Sequence, residues 1–113
     1  MNRVHSVLLH IQEDAREAIS FAEQAGSFEV FSENPLFRKA IIMSIINIGE
    51  LTKRLSDEFK AEHSKIPWRK ISGMRDIAAH GYHIMDEEMV WDVVKSSIPE
   101  LLDFVNSYFE SAE

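Results

Sequence analysis

Within the stretch Gly73-Met74-Arg75-Asp76-Ile77-Ala78-Ala79-His80-Gly81-Tyr82, three side chains able to do chemistry or to be modified lie within eight positions: Arg75, His80 and Tyr82. Apart from Asp76, small and apolar residues separate them. An arginine is permanently charged and offers a planar fork of donors that suits a phosphate. A histidine is the side chain best placed to take or give a proton near neutral pH. Together they suggest chemistry on a phosphate ester, with charge stabilisation from Arg75 and proton transfer through His80. The plainer alternative is that Arg75 pairs with an acidic neighbour and His80 only ends a helix.

The segment that carries them reads as a helix, and helix geometry constrains the pair. Positions five apart on an α-helix are turned by roughly 140°, so one straight helix does not aim Arg75 and His80 at one small target. Gly81 suits the position just past a helix end, which frees the backbone at His80 to reorient. A second chain supplying the partner group is the other solution. Both place the site at a helix terminus, the second at an interface. His83 forms a His-x-x-His pair with His80, and Asp86 follows. With no further histidine cluster and no cysteine this is a poor zinc set, and neither a metal nor another cofactor is expected.

Charge singles out the same part of the chain. The 113 residues carry a formal net charge of −7, which argues against broad nonspecific affinity for nucleic acid. The ends are acidic. Residues 38–75 instead hold 9 basic and 4 acidic side chains. Within this basic island Lys53, Arg54, Arg69 and Lys70 are candidates to attract a phosphate-bearing ligand such as RNA. An ordinary solvated helix face is the competing reading. The hydrophobic fraction of 45% is enough for a packed core and too high for a disordered chain. Absence of cysteine excludes disulfides and thiolate metal sites. Charges throughout residues 1–25 do not suit a signal peptide. The apolar run 40–46 is too short to span a bilayer. The expectation is one domain over residues 1–113, cytoplasmic, with no membrane partner.

Four helices account for the chain. Val4, Val7, Leu8, Ile11, Ala15, Ala18, Ile19 and Ala22 recur at three- and four-residue steps, so residues 3–25 read as an amphipathic helix stopped by Gly26. Residues 26–34 read as a connection, with Phe28, Val30 and Phe31 folded over the core. Asn34-Pro35 is a start signal for a long second helix reaching about Glu62. Its stripe is Phe37, Ile41, Ser44, Ile45, Ile48, Leu51, Thr52, Leu55 and Phe59. Ile42 and Ile46 widen it, which suggests that a second subunit covers part of this helix. Gly49 in mid-helix implies close approach of another backbone. Asn47 and Glu50, three apart, are expected to face the segment carrying Arg75, with Glu50 orienting that arginine or else remaining an ordinary surface carboxylate. Pro67 opens a third helix, with Trp68 and Ile71 inward and Ser72-Gly73 as a possible kink. Asp86 caps a fourth helix, which Pro99 should kink or restart. Tyr108 and Phe109 close the bundle, and His5 and His10 read as surface residues. No strand-like alternation occurs. The expected fold is all-α, an antiparallel four-helix bundle.

The run Ile66-Pro67-Trp68, Ile71-Ser72-Gly73-Met74-Arg75-Asp76, His80-Gly81-Tyr82 and Val90-Trp91 resembles the HepT-like branch of the HEPN superfamily. Its mark is Arg, four residues, His, one residue, Tyr. Ile48-Gly49-Glu50 is similar to that family's second-helix pattern. Where the family often has Asn after the arginine, this chain has Asp76, which alters the polarity beside the phosphate site. The resemblance implies a homodimeric, metal-independent endoribonuclease, the toxin of a toxin–antitoxin pair, with Arg75 and His80 catalytic in a dimer-interface cleft. It also implies that a cognate minimal nucleotidyltransferase antitoxin attaches AMP to Tyr82. From the residues alone packing, with the hydroxyl hydrogen-bonded near the helix end, is the better explanation of Tyr82. A non-catalytic nucleotide-binding or scaffold subunit of a nucleotidyltransferase complex is the alternative function.

Overall fold

Apolar residues at helical spacing fix the first element, and capping residues fix the next two. The computed structural model describes residues 3–81 and 86–112, with side chains described for 3–76 and 86–111. Helix α1 spans Arg3–Ala25, the bounds its apolar stripe predicts. Gly26 ends it at φ +82°, a left-handed conformation that costs glycine little. Its Ala15, Ala18, Ala22 and Ala25 are buried small residues, which allow neighbours to come near. Residues 26–34 are not a plain connection. They hold a six-residue helix α2, Phe28–Glu33, capped by the Ser27 hydroxyl accepting from the Val30 N–H at 3.2 Å. A helix of fewer than two turns is too short to leave a periodic signal. Phe31 is fully buried, whereas Val30 stays exposed.

Asn34 closes α2 and opens α3 (Pro35–Lys53). Its backbone N–H donates to Val30 O at 2.9 Å, and its side chain accepts from the Leu36 N–H at 2.9 Å. Helix α3 is shorter than the sequence implies. At Arg54 and Leu55 the N–H groups reach back only three residues, to Leu51 and Thr52. Ser56 then turns extended, and its hydroxyl accepts from the Phe59 N–H to start α4, Asp57–Glu62. The expected helix to Glu62 is therefore two helices. Leu55 and Phe59 are nonetheless buried, so the apolar period persists while the backbone turns.

Helix α5 (Trp68–Gly81) passes Ser72 and Gly73 as one continuous helix. Trp68 and Ile71 point inward as expected. Asp86 caps α6 (Glu87–Asp92), its Oδ1 accepting from the N–H groups of Glu88 at 2.9 Å and Met89 at 3.2 Å. A π-helical turn, Val93–Ser97, joins α6 to α7 (Ile98–Ala112). The proline supplies the reason. Pro99 has no N–H, and its ring crowds the carbonyl four residues back. Widening the preceding turn, with Ile98 N–H donating to Val93 O, relieves that crowding without breaking the helix.

All the described elements are helical, and the fold is an all-α helical bundle. Four long helical segments, α1, α3, α5 and α6 with α7, make it. Helix α3 packs between α1 and α5, and α1 also packs on α7. Helices α1 and α7 run antiparallel: His5 meets Phe109, and Gln12 donates to Asn106 Oδ1 at 2.7 Å. The core centres on Leu8, Ile11, Ile41, Ile45, Ile48, Ile71, Ile98 and Leu101, each fully buried. Burial of each such side chain stabilises by about 1.5–3 kcal/mol. One end is closed by rings. Phe59, His63, Trp68, Phe104 and Tyr108 lie with centroids between 4.6 and 6.4 Å apart for the touching pairs. Tyr108 and Phe109 close the bundle as the sequence suggests. His5 does not stay on the surface: it sits half-buried, edge-on to Phe109 at 4.8 Å. Among the described residues no helix is long and apolar enough to cross a membrane.

Candidate active site

Gly49 sets the geometry. A Cβ built there would lie 3.0 Å from Arg75 Cβ and 3.0 Å from Ile71 O. The backbone of α5 therefore rests directly on α3 at this glycine, and Arg75 is set down beside it. The neighbours of Gly49 on α3 then reach the arginine. Glu50 Oε2 lies 3.9 Å from Arg75 Nε, both side chains part-exposed. One turn on from Gly49, Lys53 Nζ hydrogen-bonds Asp76 Oδ1 at 2.5 Å. The same oxygen is 3.6 Å from Arg75 Nη1. The Arg75 side chain keeps 39% of its surface exposed and Lys53 keeps 40%.

The cluster of Glu50, Lys53, Arg75 and Asp76 thus joins two cations and two carboxylates at a solvent-facing seam between α3 and α5. Lys53 holds the Asp76 carboxyl below its ordinary value, first by its hydrogen bond, then by its charge, with Arg75 adding to the effect. Asp76 is therefore ionised throughout the neutral range, and both cations have a compensating partner.

The remaining candidates fall elsewhere. Asn47 and Arg54 line a hollow between α1 and α3 together with His10, Asp14, Glu50 and Leu51. Burial and the charges of Glu17 and Glu13 raise the Asp14 carboxyl above its ordinary value, against the pull of His10. Lys70 Nζ donates to Asp92 Oδ2 at 3.1 Å, tying α5 to α6. Arg69 is exposed near the start of α5. Of the four basic candidates, Lys53 alone is joined to the Arg75 cluster by a described contact. That link spans 23 positions, and nothing local in the sequence points to it.

His80 lies in the last turn of α5. Its side chain, and Tyr82 and His83 altogether, lie outside the described residues. Along an ideal helix it stands about 7.5 Å beyond Arg75. Among the described residues no cluster of three or more histidines and carboxylates could hold a metal ion. Two exposed cations on a fixed seam can grip phosphate oxygens.

A family model described as ribonuclease HepT-like matches residues 11–108. The chain belongs to the HepT-like ribonuclease family. The match takes in α3, α5 and the whole Arg75 cluster. Curated relatives agree. A Thermococcus cleftensis protein named "Probable ribonuclease HepT" is 36% identical over 104 residues, covering 89% of this chain and 92% of its own. A Caldanaerobacter subterraneus subsp. tengcongensis protein named as an RNase is 41% identical over 75 residues, covering 66% of this chain and 67% of its own. Another, from Methanocaldococcus jannaschii and also named as an RNase, is 29% identical over 98 residues, covering 87% and 89%. No solved structure matches the chain. In this HepT-like chain the seam at Gly49 sets the motif helix against α3.

Proposed function

We propose that this HepT-like chain is a metal-independent endoribonuclease, the toxin of a cytoplasmic toxin–antitoxin pair, acting on RNA as a homodimer. The observation that carries this reading is Arg75: half-exposed, seated against Gly49, flanked by Glu50 and Asp76, on the helix whose last turn includes His80, in a chain of a ribonuclease family.

The chemistry follows from the substrate. RNA carries a 2′-hydroxyl beside each phosphodiester. A base takes that proton, the 2′-oxygen attacks phosphorus, and the bond to the 5′-oxygen breaks as that oxygen is protonated. The products are a 2′,3′-cyclic phosphate and a free 5′-hydroxyl. His80 serves as base or acid. Arg75 stabilises the charge that grows on the phosphoryl oxygens. One imidazole does not readily do both proton transfers in a single step, whereas a two-fold axis at the cleft provides two. Support for the pairing comes from α3, whose Leu36 and Met43 stand 72% and 57% exposed. These are large apolar side chains, seven residues apart on one face. Control acts through Tyr82: a nucleotidyltransferase antitoxin attaches AMP there, bringing a negative phosphodiester and a bulky base to an arginine-lined cleft, which repels RNA.

The test uses protein made without its neighbour, confirmed free of AMP by mass, and incubated with RNA in excess chelator. Wild type is expected to cleave. Arg75→Ala and His80→Ala should lose about a hundredfold or more of that activity while keeping their helical circular dichroism. Tyr82→Phe should cleave and escape silencing by the antitoxin. RNA left whole by AMP-free wild type would hand the case to a non-catalytic nucleotide-binding subunit.

A further inference from the structure

The carboxylate of Asp76 lies where a different kind of oxygen could lie. Its Oδ1 is shared by the Lys53 ammonium at 2.5 Å and the Arg75 guanidinium at 3.6 Å. An oxygen hydrogen-bonded by an ammonium with a guanidinium at ion-pair distance, from two different helices, is a setting that also suits a phosphoryl oxygen. The cradle is built rather than casual. Lys53 is one helical turn from Gly49, and Arg75 lies against Gly49, so the close contact of α3 and α5 fixes the spacing of the two cations. It is also open, since 53% of the Asp76 side chain is exposed. The other Lys–Asp pair across helices, Lys70 with Asp92, lacks this second cation among the described contacts.

We infer that Lys53 is a second phosphate-holding residue beside Arg75, and that the Asp76 carboxylate occupies the place of the RNA phosphate until a strand displaces it. This rests on the ribonuclease reading and adds a residue to it. Exposed ion pairs are weak, so a polyanion whose binding also releases counterions can take the carboxylate's place. Asp76 then acts as a tethered competitor. It swings out when a phosphodiester enters and screens the two cations from other anions when none is present.

The probe is a labelled single-stranded oligonucleotide with 2′-O-methyl groups throughout, which lacks the attacking hydroxyl and is not cut. Its binding is followed by fluorescence anisotropy over a salt series. Lys53→Ala should bind roughly tenfold more weakly, with the slope of log affinity against log salt reduced by about 0.7. Asp76→Asn should bind about threefold to tenfold more tightly at low salt, and the advantage should shrink at high salt. Lys60→Ala, which removes the same charge elsewhere, should stay near wild type. If Lys53→Ala behaves like Lys60→Ala while wild type binds and cleaves RNA, the role of Lys53 is wrong and the ribonuclease reading stands. Weaker binding by folded Asp76→Asn would mean that the carboxylate positions Arg75 and does not stand in for phosphate. A wild-type protein that neither binds this strand nor cleaves RNA overturns both readings.

Discussion

Gly49 and Arg75 show how a residue with no side chain can govern one with a long one. Alanine in place of Gly49 gains about 1 kcal/mol of helix propensity, yet its methyl would sit 3.0 Å from Ile71 O. A backbone oxygen cannot move aside alone, so α5 must shift, and overpacking of this kind costs about 1–3 kcal/mol. Gly49→Ala is therefore expected to lower the melting temperature, and to lower RNA cleavage by more than stability explains, since Arg75 moves with the helix. Cleavage measured well below the transition separates the two effects. Two carboxylates give opposite pH signatures. Asp76 is held below its ordinary value by Lys53 and Arg75, so its stabilising contribution is present above the unfolded value of 3.8 and fades as pH falls through the lowered folded one. Asp14 is raised by burial and by Glu17 and Glu13, so its ionised form opposes folding; that cost is full above the raised folded value, eases as pH falls below it, and is gone below the unfolded value of 3.8. Asp14→Asn should accordingly be more stable than wild type at pH 7, with the difference vanishing in acid, as read from melting curves between pH 3 and 7. That Glu50 stands near Arg75 is a placement that residue type and spacing offer, beside the reading of Glu50 as an ordinary surface carboxylate. The Lys53–Asp76 contact is not, because it depends on how far α5 slides along α3.

Among the elements, the best-read boundaries are those with a chemical cause written in one residue. Gly26 ends α1, Asn34 opens α3, and Asp86 caps α6. Asp86→Ala should cost about 0.5–2 kcal/mol, seen as a lower urea midpoint at unchanged slope. The failures have causes too. Helix α3 reads through to Glu62 because Leu55 and Phe59 keep the apolar rhythm on both sides of the turn at Arg54. Ser56 starts α4 there by accepting from the Phe59 N–H, a one-residue cause that an unbroken apolar rhythm hides. At Pro99 the sequence marks where a backbone hydrogen bond must fail. It does not specify that the chain responds with a wider turn at Val93–Ser97 instead of a kink.

At the scale of the molecule, the all-α bundle follows from helical periodicity, whereas the surface of α3 carries information beyond its own fold. Lys39, Ile42, Met43 and Ile46 line a shallow apolar depression, and Leu36 extends that face toward the helix start. If a second copy covers it, Met43→Glu leaves the isolated bundle folded and separates the dimer. Sedimentation should then report a monomer, and cleavage should fall along with association. An unchanged dimer would move the two-fold axis to another face.

The joint at Asn34 has a mechanical corollary. Because one residue serves as both the last cap of α2 and the first cap of α3, there is no slack between them. Any tilt of α3 must be transmitted to α2, and so to the Phe28 and Phe31 rings that flank Trp91 at 6.4 and 5.2 Å. The indole fluorescence of Trp91 is thus wired to α3, and it offers a built-in optical gauge of what docks there.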